Sequence, residues 1–323
     1  MIKNYYNFLE QLSWRTVKRL RPQNKFSLKK LPKDDKTNSI IANHLKNNIP
    51  LMAARHGMVE LRVILNVEAM KTRTNVFKDS LLYLTGRKYQ FWELNKNFKD
   101  RLCLWAGFFP NNEDKLFEKF SDLLIENSKD LDILGIMSET EFMIKTIPQN
   151  TYLTGFRKLE PWFYEEPWSY QLKGKKVLVI HPFEDSIRSQ YDKRELLFEN
   201  RKILPKFDLK TIKAVQTVAD NKDSEYKDWF EALESMKIKI QQTDFDVAII
   251  GCGAYGFPLA SYVKKLGKQA VHLGGMVQWL FGIKGQRWLD FLEYKNMPNE
   301  HWIFPSEDEK PKGFEKVEGG CYW

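Results

Sequence analysis

The stretch Asp246 to Gly275, DVAIIGCGAYGFPLASYVKKLGKQAVHLGG, reads as strand, glycine turn, helix and second strand. Asp246-Val247-Ala248-Ile249-Ile250 carries an apolar, β-branched run without alternation, the pattern of a strand buried on both faces of a parallel sheet. Gly251-Cys252-Gly253-Ala254-Tyr255-Gly256 supplies a G-x-G-x-x-G turn, and Pro258 suits a first helical turn, where a missing N–H costs little. Leu259, Tyr262, Val263 and Leu266 share one helix face, Gly267 ends it, and Gln269 to Leu273 is predicted as the next strand. Such a unit aims backbone N–H groups and a helix N-terminus at the carboxyl edge of a sheet, where a phosphate is well held. A nucleotide-containing ligand is therefore expected at Gly251, Gly253 and Gly256. Glycines that only let a helix pack closely on a strand are the alternative.

A dinucleotide enzyme holding NAD or FAD would place Asp or Glu at the end of the second strand to bind the ribose. Here that strand runs into His272-Leu273-Gly274-Gly275, with no acid before Asp290. The pattern therefore argues against a dinucleotide.

Upstream, the chain alternates helices and strands. A helix is expected from Asp34 and Asp35 to about Asn48, a strand at Leu51 to Ala54, and a helix from Leu61 to about Val67. Lys71 to Arg87 reads as loop with short helices. A helix capped at Asn111 to Asp114 should run to about Asn127, followed by a strand within Leu131 to Met137, a helix start at Ser138-Glu139-Thr140-Glu141 and a strand at Tyr152 to Phe156. Lys175 to Ile180, Thr211 to Val215 and the glycine unit supply further strands, with helices at Ser186 to Asn200 and Tyr226 to Ile240. This alternation predicts an α/β fold with a doubly wound, mostly parallel, Rossmann-like sheet and a helical basic N-terminal arm. Four regions are expected: the arm at 1–30, a first α/β half at 31–150, an aromatic connection at 151–174, and a second half at 175–323.

Charge is concentrated at one end. Residues 1–30 contain eight Lys or Arg against Glu10, so +7 of the formal +9 lies there. Tyr5, Phe8, Leu9, Leu12 and Trp14 lie among these charges, and a basic amphipathic helix can rest on an anionic membrane surface. An arm folded back on the domain is the alternative. No nucleic-acid partner is expected, because no aromatic-basic RNA motif or helix-turn-helix pattern accompanies the charge. The N-terminus lacks the apolar segment of a secretory signal and no run reaches the roughly 18 apolar residues of a membrane span, so a cytoplasmic location is expected. Cys103, Cys252 and Cys321 show neither disulfide nor zinc spacing.

Because ligands of parallel sheets lie at strand carboxyl ends, three clusters become candidates. Arg55-His56-Gly57-x-x-Glu60 follows the early strand. His181-Pro182-Phe183-Glu184, with Arg188, Tyr191 and Arg194, follows the middle strand, and the glycine turn with His272 follows the late ones. Arginines and backbone N–H groups can take phosphate charge, while Glu184 and Tyr191 can contact hydroxyls. Glu60 or His181 is the candidate to deprotonate or orient an acceptor hydroxyl. A first-turn acid favoured by the helix dipole is the plainer role for Glu60, and a satisfied structural histidine the plainer role for His181. His56, His181 and His272 all stand at predicted strand ends, at separations that give no metal-ligand spacing.

At these residues the chain resembles bacterial glycosyltransferases of the GT-D fold class and relatives encoded with surface-polysaccharide genes. The resemblance rests on the R-x-G-x-x-E turn from Arg55 to Glu60 and on the unit from Val247 to Gly275. It is also similar to a polysaccharide-locus group through VLVIHPFEDSIRSQY and the closing NEHW and VEGGCYW segments. It implies a sugar-nucleotide donor and a growing or lipid-linked glycan acceptor. Better-known members carry D-x-E in the early turn, a site for Mn²⁺ or Mg²⁺ and the donor diphosphate. Here the triplet is Met58-Val59-Glu60, and a thioether is a poor ligand for a hard cation, so no metal residue is assigned. Arg55, Arg188 or Arg194 would then neutralise the diphosphate. A non-catalytic sugar-nucleotide-binding assembly partner, or a transferase using another activated donor such as a pyruvyl donor, are the alternatives.

Overall fold

The computed structural model describes residues 5–10, 12, 28, 31–32, 35–219, 221 and 225–323. Short aliphatic runs form seven strands: β1 (Leu51–Ala54), β2 (Ile133–Ile136), β3 (Tyr152–Gly155), β4 (Lys176–His181), β5 (Asp208–Lys213), β6 (Val247–Ile250) and β7 (Gln269–His272). They make one parallel sheet in the order β3-β2-β1-β7-β6-β4-β5. The central strands are buried throughout, which is why their sequences show no alternation. Edge strand β5 alternates between exposed and covered positions and starts three residues before the predicted Thr211.

Successive strand residues point to opposite faces and feed two separate cores. Met52, Ala54, Leu178, Ile180, Ala248 and Ile250 meet helices α2 (Met58–Lys71), α4 (Lys96–Ala106), α5 (Asp114–Asn127), α7 (Trp229–Gln242) and α8 (Gly256–Lys265), with α3 (Val76–Leu84) lying between α2 and α4 in the chain. Leu51, Ala53, Val177, Val179, Val247 and Ile249 meet α1 (Lys36–Lys46), α6 (Glu184–Asp192), α9 (Met276–Leu280) and the tryptophans Trp168, Trp279 and Trp302. The sheet is thus covered on both faces in the doubly wound manner. The halves at 31–150 and 175–323 share it, joined at its centre where β1 pairs with β7. Within the aromatic connection, Trp168 is fully buried and its indole N–H donates to the Leu159 carbonyl at 2.9 Å.

Several boundaries depart from the sequence reading. α2 starts at Met58 rather than Leu61, and α4 was not anticipated; Asn95 caps it by accepting from the N–H groups of Asn97 and Phe98, and Gly107 ends it at φ +80°. The helix expected to reach Asn200 stops at Asp192, followed by a short helical turn at Arg194–Leu197. Within the arm, most of residues 1–30 lie outside the described residues. Residues 5–10 are helical; Leu9 is buried, Tyr6 stacks on Trp92 at 4.8 Å, and the Tyr5 hydroxyl donates to Ser80 at 3.0 Å. Among the described residues no helix is long and apolar enough to cross a membrane.

Candidate functional site

The chain leaves β4 toward β5 and leaves the adjacent β6 toward β7, so the crevice outside these two carboxyl ends is the switch point at which open parallel sheets bind ligands. A cavity of about 230 Å³ occupies that edge. It brings together Arg55, Gly57 and Glu60 after β1, His181 at the end of β4, Gly251 and Gly253 after β6, and His272 at the end of β7.

Arg55 is the central group. Arg55 is half-buried, and desolvation lowers its pKa against the pull of Glu160, yet its guanidinium has no hydrogen bond or ion pair among the described residues. It lies over the Phe156 ring, 5.8 Å away. Gly274, at φ +61°, makes room for it: a Cβ there would fall 2.5 Å from a guanidinium nitrogen.

Glu60 is the third residue of α2 and is buried, 7% exposed. Its carboxylate folds back over the helix start, so that a Cβ on Gly57 would lie 1.9 Å from Oε2. Burial raises its pKa, while the backbone N–H groups of Glu60 and Val59 and the charge of Arg55 pull it down. Two more buried carboxyls feel Arg55. Glu141 is pushed up to about 8 by burial, and Glu160, which accepts from the Tyr294 hydroxyl at 2.7 Å, up to about 7.

Three histidines line the same cavity, and burial pushes each down to about 3. The Phe183 N–H donates to Nδ1 of His181 at 3.0 Å, which fixes the neutral tautomer with its proton on Nε2. His181 therefore offers the cavity a donor. His56 stacks on Phe257 at 4.4 Å and contacts the Ser128 hydroxyl at 3.3 Å through Nε2. His272 lies against Gly256, where a Cβ would come within 2.3 Å of its Nε2. Nδ1 of His56 and Nδ1 of His272 are buried and unpartnered among the described residues.

The glycine turn is closely packed. A Cβ on Gly251 would lie 2.3 Å from the Gly274 carbonyl, and Gly253, at φ +57°, would place one 2.7 Å from the Ala106 carbonyl. The N–H of Gly251 is used by the Ile180 carbonyl at 3.0 Å. Burial raises the Cys252 pKa, keeping it a thiol.

Five sequence candidates, Glu184, Arg188, Tyr191, Arg194 and Gly256, lie outside the cavity lining. Glu184 accepts from Thr211 at 2.5 Å and from Arg188 at 2.8 Å, tying α6 to β5. The Tyr191 hydroxyl accepts from the Phe207 N–H at 2.6 Å and donates to the Phe207 carbonyl at 2.8 Å. Arg194 pairs with Glu195 at 3.1 Å and lies over the Tyr191 ring. Gly256 meets the site only through His272.

The closing segment supplies a wall that the sequence reading missed. Glu318, Gly319 and Gly320 all adopt left-handed backbone, at φ +49°, +74° and +79°, and turn the chain so that Tyr322 and Trp323 line the cavity. Arg287 donates to the Tyr322 hydroxyl at 2.6 Å and pairs with Glu318, while the Gln278 side chain donates to the Tyr322 carbonyl at 3.0 Å. The G-G pair at 319–320 was the available signal of a sharp turn.

The residues do not fit the divalent ion that the resemblance to glycosyltransferases would imply. Met58 offers no oxygen, Glu60 is turned back on its own helix, and among the described residues no group of three His, Cys, Asp or Glu is placed to hold a metal. No family model, curated protein or solved structure matches the chain.

Proposed function

We propose that this protein is a metal-independent, nucleotide-sugar-dependent glycosyltransferase of bacterial polysaccharide biosynthesis, working at the cytoplasmic face of the membrane on a growing or lipid-linked glycan. The observation that carries the reading is the half-buried guanidinium of Arg55, without a hydrogen bond or ion pair among the described residues, at a cavity at the switch point. A charge partly withdrawn from water without a partner is costly, and an anionic ligand would relieve that cost. Arg287 adds a second cation and His181 a neutral donor. The cavity lies just below the usual range for small-ligand sites, roughly 300–1,000 Å³, which suits a sugar diphosphate with its base outside.

In this reading the acceptor hydroxyl gives its proton to Glu60, whose raised pKa suits a base. The acceptor oxygen forms its bond to the anomeric carbon, and the bond from that carbon to the diphosphate breaks. The leaving diphosphate keeps the electron pair, its charge held by Arg55. His181 orients a hydroxyl or phosphate oxygen by donation from Nε2. Glu60 lying back on its helix favours one second reading, a sugar-nucleotide-binding assembly partner without turnover.

A thermal-stability screen tests the proposal, using sugar nucleotides, phosphoenolpyruvate and dinucleotides with and without EDTA. At a hundredfold excess over Kd a ligand adds about 2.7 kcal/mol. Sugar nucleotides should stabilise the protein regardless of EDTA, and Arg55→Met should remove the effect. Stabilisation by dinucleotides alone, or dependence on a divalent ion, would overturn it. Sugar release on adding an acceptor glycan separates the transferase from the assembly partner.

A further inference from the structure

Helix α3 is inside out. Asp79 and Ser80 are 1% and 4% exposed, whereas Phe77 and Leu81 are 80% and 58% exposed. The inward polar groups are satisfied: Asp79 pairs with Lys88 at 2.8 Å and accepts from the Thr74 N–H at 2.9 Å, and Ser80 donates to the Val76 carbonyl while accepting from Tyr5. The polar face is therefore fixed inward by specific bonds, which leaves the phenyl and isobutyl groups in water. The helical turn at 5–10 is bound to α3 through Tyr5 and adds Phe8, 56% exposed.

The surroundings of this apolar face are basic. Arg73, Lys78 and Arg87 are exposed, Lys71 pairs with Asp122, and the one acid between Lys71 and Lys88 is Asp79, buried and paired with Lys88. An apolar ridge flanked by cations complements a plane of anionic headgroups over an acyl layer. We propose that Phe77 and Leu81, flanked by Arg73, Lys78 and Arg87, dock this protein on an anionic lipid bilayer. The proposal deepens the membrane-face location given above. It is separable from the ligand reading because none of these residues lines the cavity.

The test uses the full chain with vesicles of phosphatidylcholine alone and of phosphatidylcholine with one part in three phosphatidylglycerol. The protein should co-sediment with the mixed vesicles only, and salt should release it. Phe77→Ser with Leu81→Ser should weaken partitioning about tenfold or more, the cost of withdrawing two large apolar side chains from the interface. Circular dichroism should stay unchanged. Ile238→Ser, at another exposed apolar position on α7, should leave partitioning as it was. Equal sedimentation of the double variant, or no preference for the anionic vesicles, overturns the proposal. So does a double variant whose only change is loss of a dimer in sedimentation velocity, since the occupant would then be a second copy.

Discussion

The turn after β1 and the turn after β4 carry similar chemistry in the sequence, each with a histidine, a glutamate and an arginine, yet they deliver it differently. After β1, Arg55 and Glu60 both reach the cavity; after β4, only His181 to Phe183 do. The difference lies in where the helix begins. Glu60 is the third residue of α2, and helical side chains lean toward the N-terminus, so its carboxylate returns over Gly57 to the strand end. Glu184 opens α6 beside the edge strand, where Thr211 captures it, and each later turn carries Arg188 and Tyr191 farther away. Residue type at a strand end nominates a candidate; helix phase and the neighbouring strand decide whether it arrives.

The largest effect expected is at Gly253. A valine there must adopt φ near +57° with its Cβ 2.7 Å from the Ala106 carbonyl, so Gly253→Val should lose about 3 kcal/mol in urea denaturation. Unchanged stability would show that the turn yields readily. Next, Arg55→Met should weaken sugar-nucleotide binding by about 3 kcal/mol in calorimetry, as expected for a buried charge contact, while Arg188→Met should change it less than twofold. Equal losses in the two variants would erase the distinction between the turns.

A smaller effect concerns pH. The three cavity histidines, at about 3 when folded, bind fewer protons than the unfolded chain from roughly pH 3 to 6.5, so their contribution to stability is lost as pH falls through that window. Glu160 and Glu141, raised to about 7 and 8, bind more protons when folded, so their contribution is lost as pH rises from about 4.5 through those values. The windows overlap, and three histidines outweigh two carboxyls there until close to pH 6.5, so stability should peak near the top of the overlap, and Glu141→Gln should flatten the alkaline limb. A pH series of denaturation curves checks both slopes. The smallest effect is at Glu184→Gln, which should shift stability by about 0.5 kcal/mol or less, as for other part-exposed pairs, with binding unchanged.

The parallel sheet was legible because buried strands such as Val247–Ile250 and helices such as α5 carry strong local patterns. So were Arg55, Glu60 and His181 as strand-end candidates. Helix α4 was not, since its polar surface dilutes the apolar periodicity and its signals are the Asn95 cap and the Gly107 stop. Arg287, Glu318 and Tyr322 were illegible for a different reason. They come from short irregular turns, and what joins them to the cavity is contact between distant parts of the chain.

The pairing of β1 with β7 also bears on how the molecule comes into being. Leu51 aligns with Gln269 at the centre of the sheet, so a chain emerging from the ribosome must hold β1 open on one side until most of its length has been made. Pairing across such a sequence distance is slow, and it leaves an aliphatic strand edge waiting for its partner. The cavity floor is laid only when that gap closes. Substrate recognition is thus one of the last properties the nascent chain acquires, and fragments ending before β7 should be prone to aggregation.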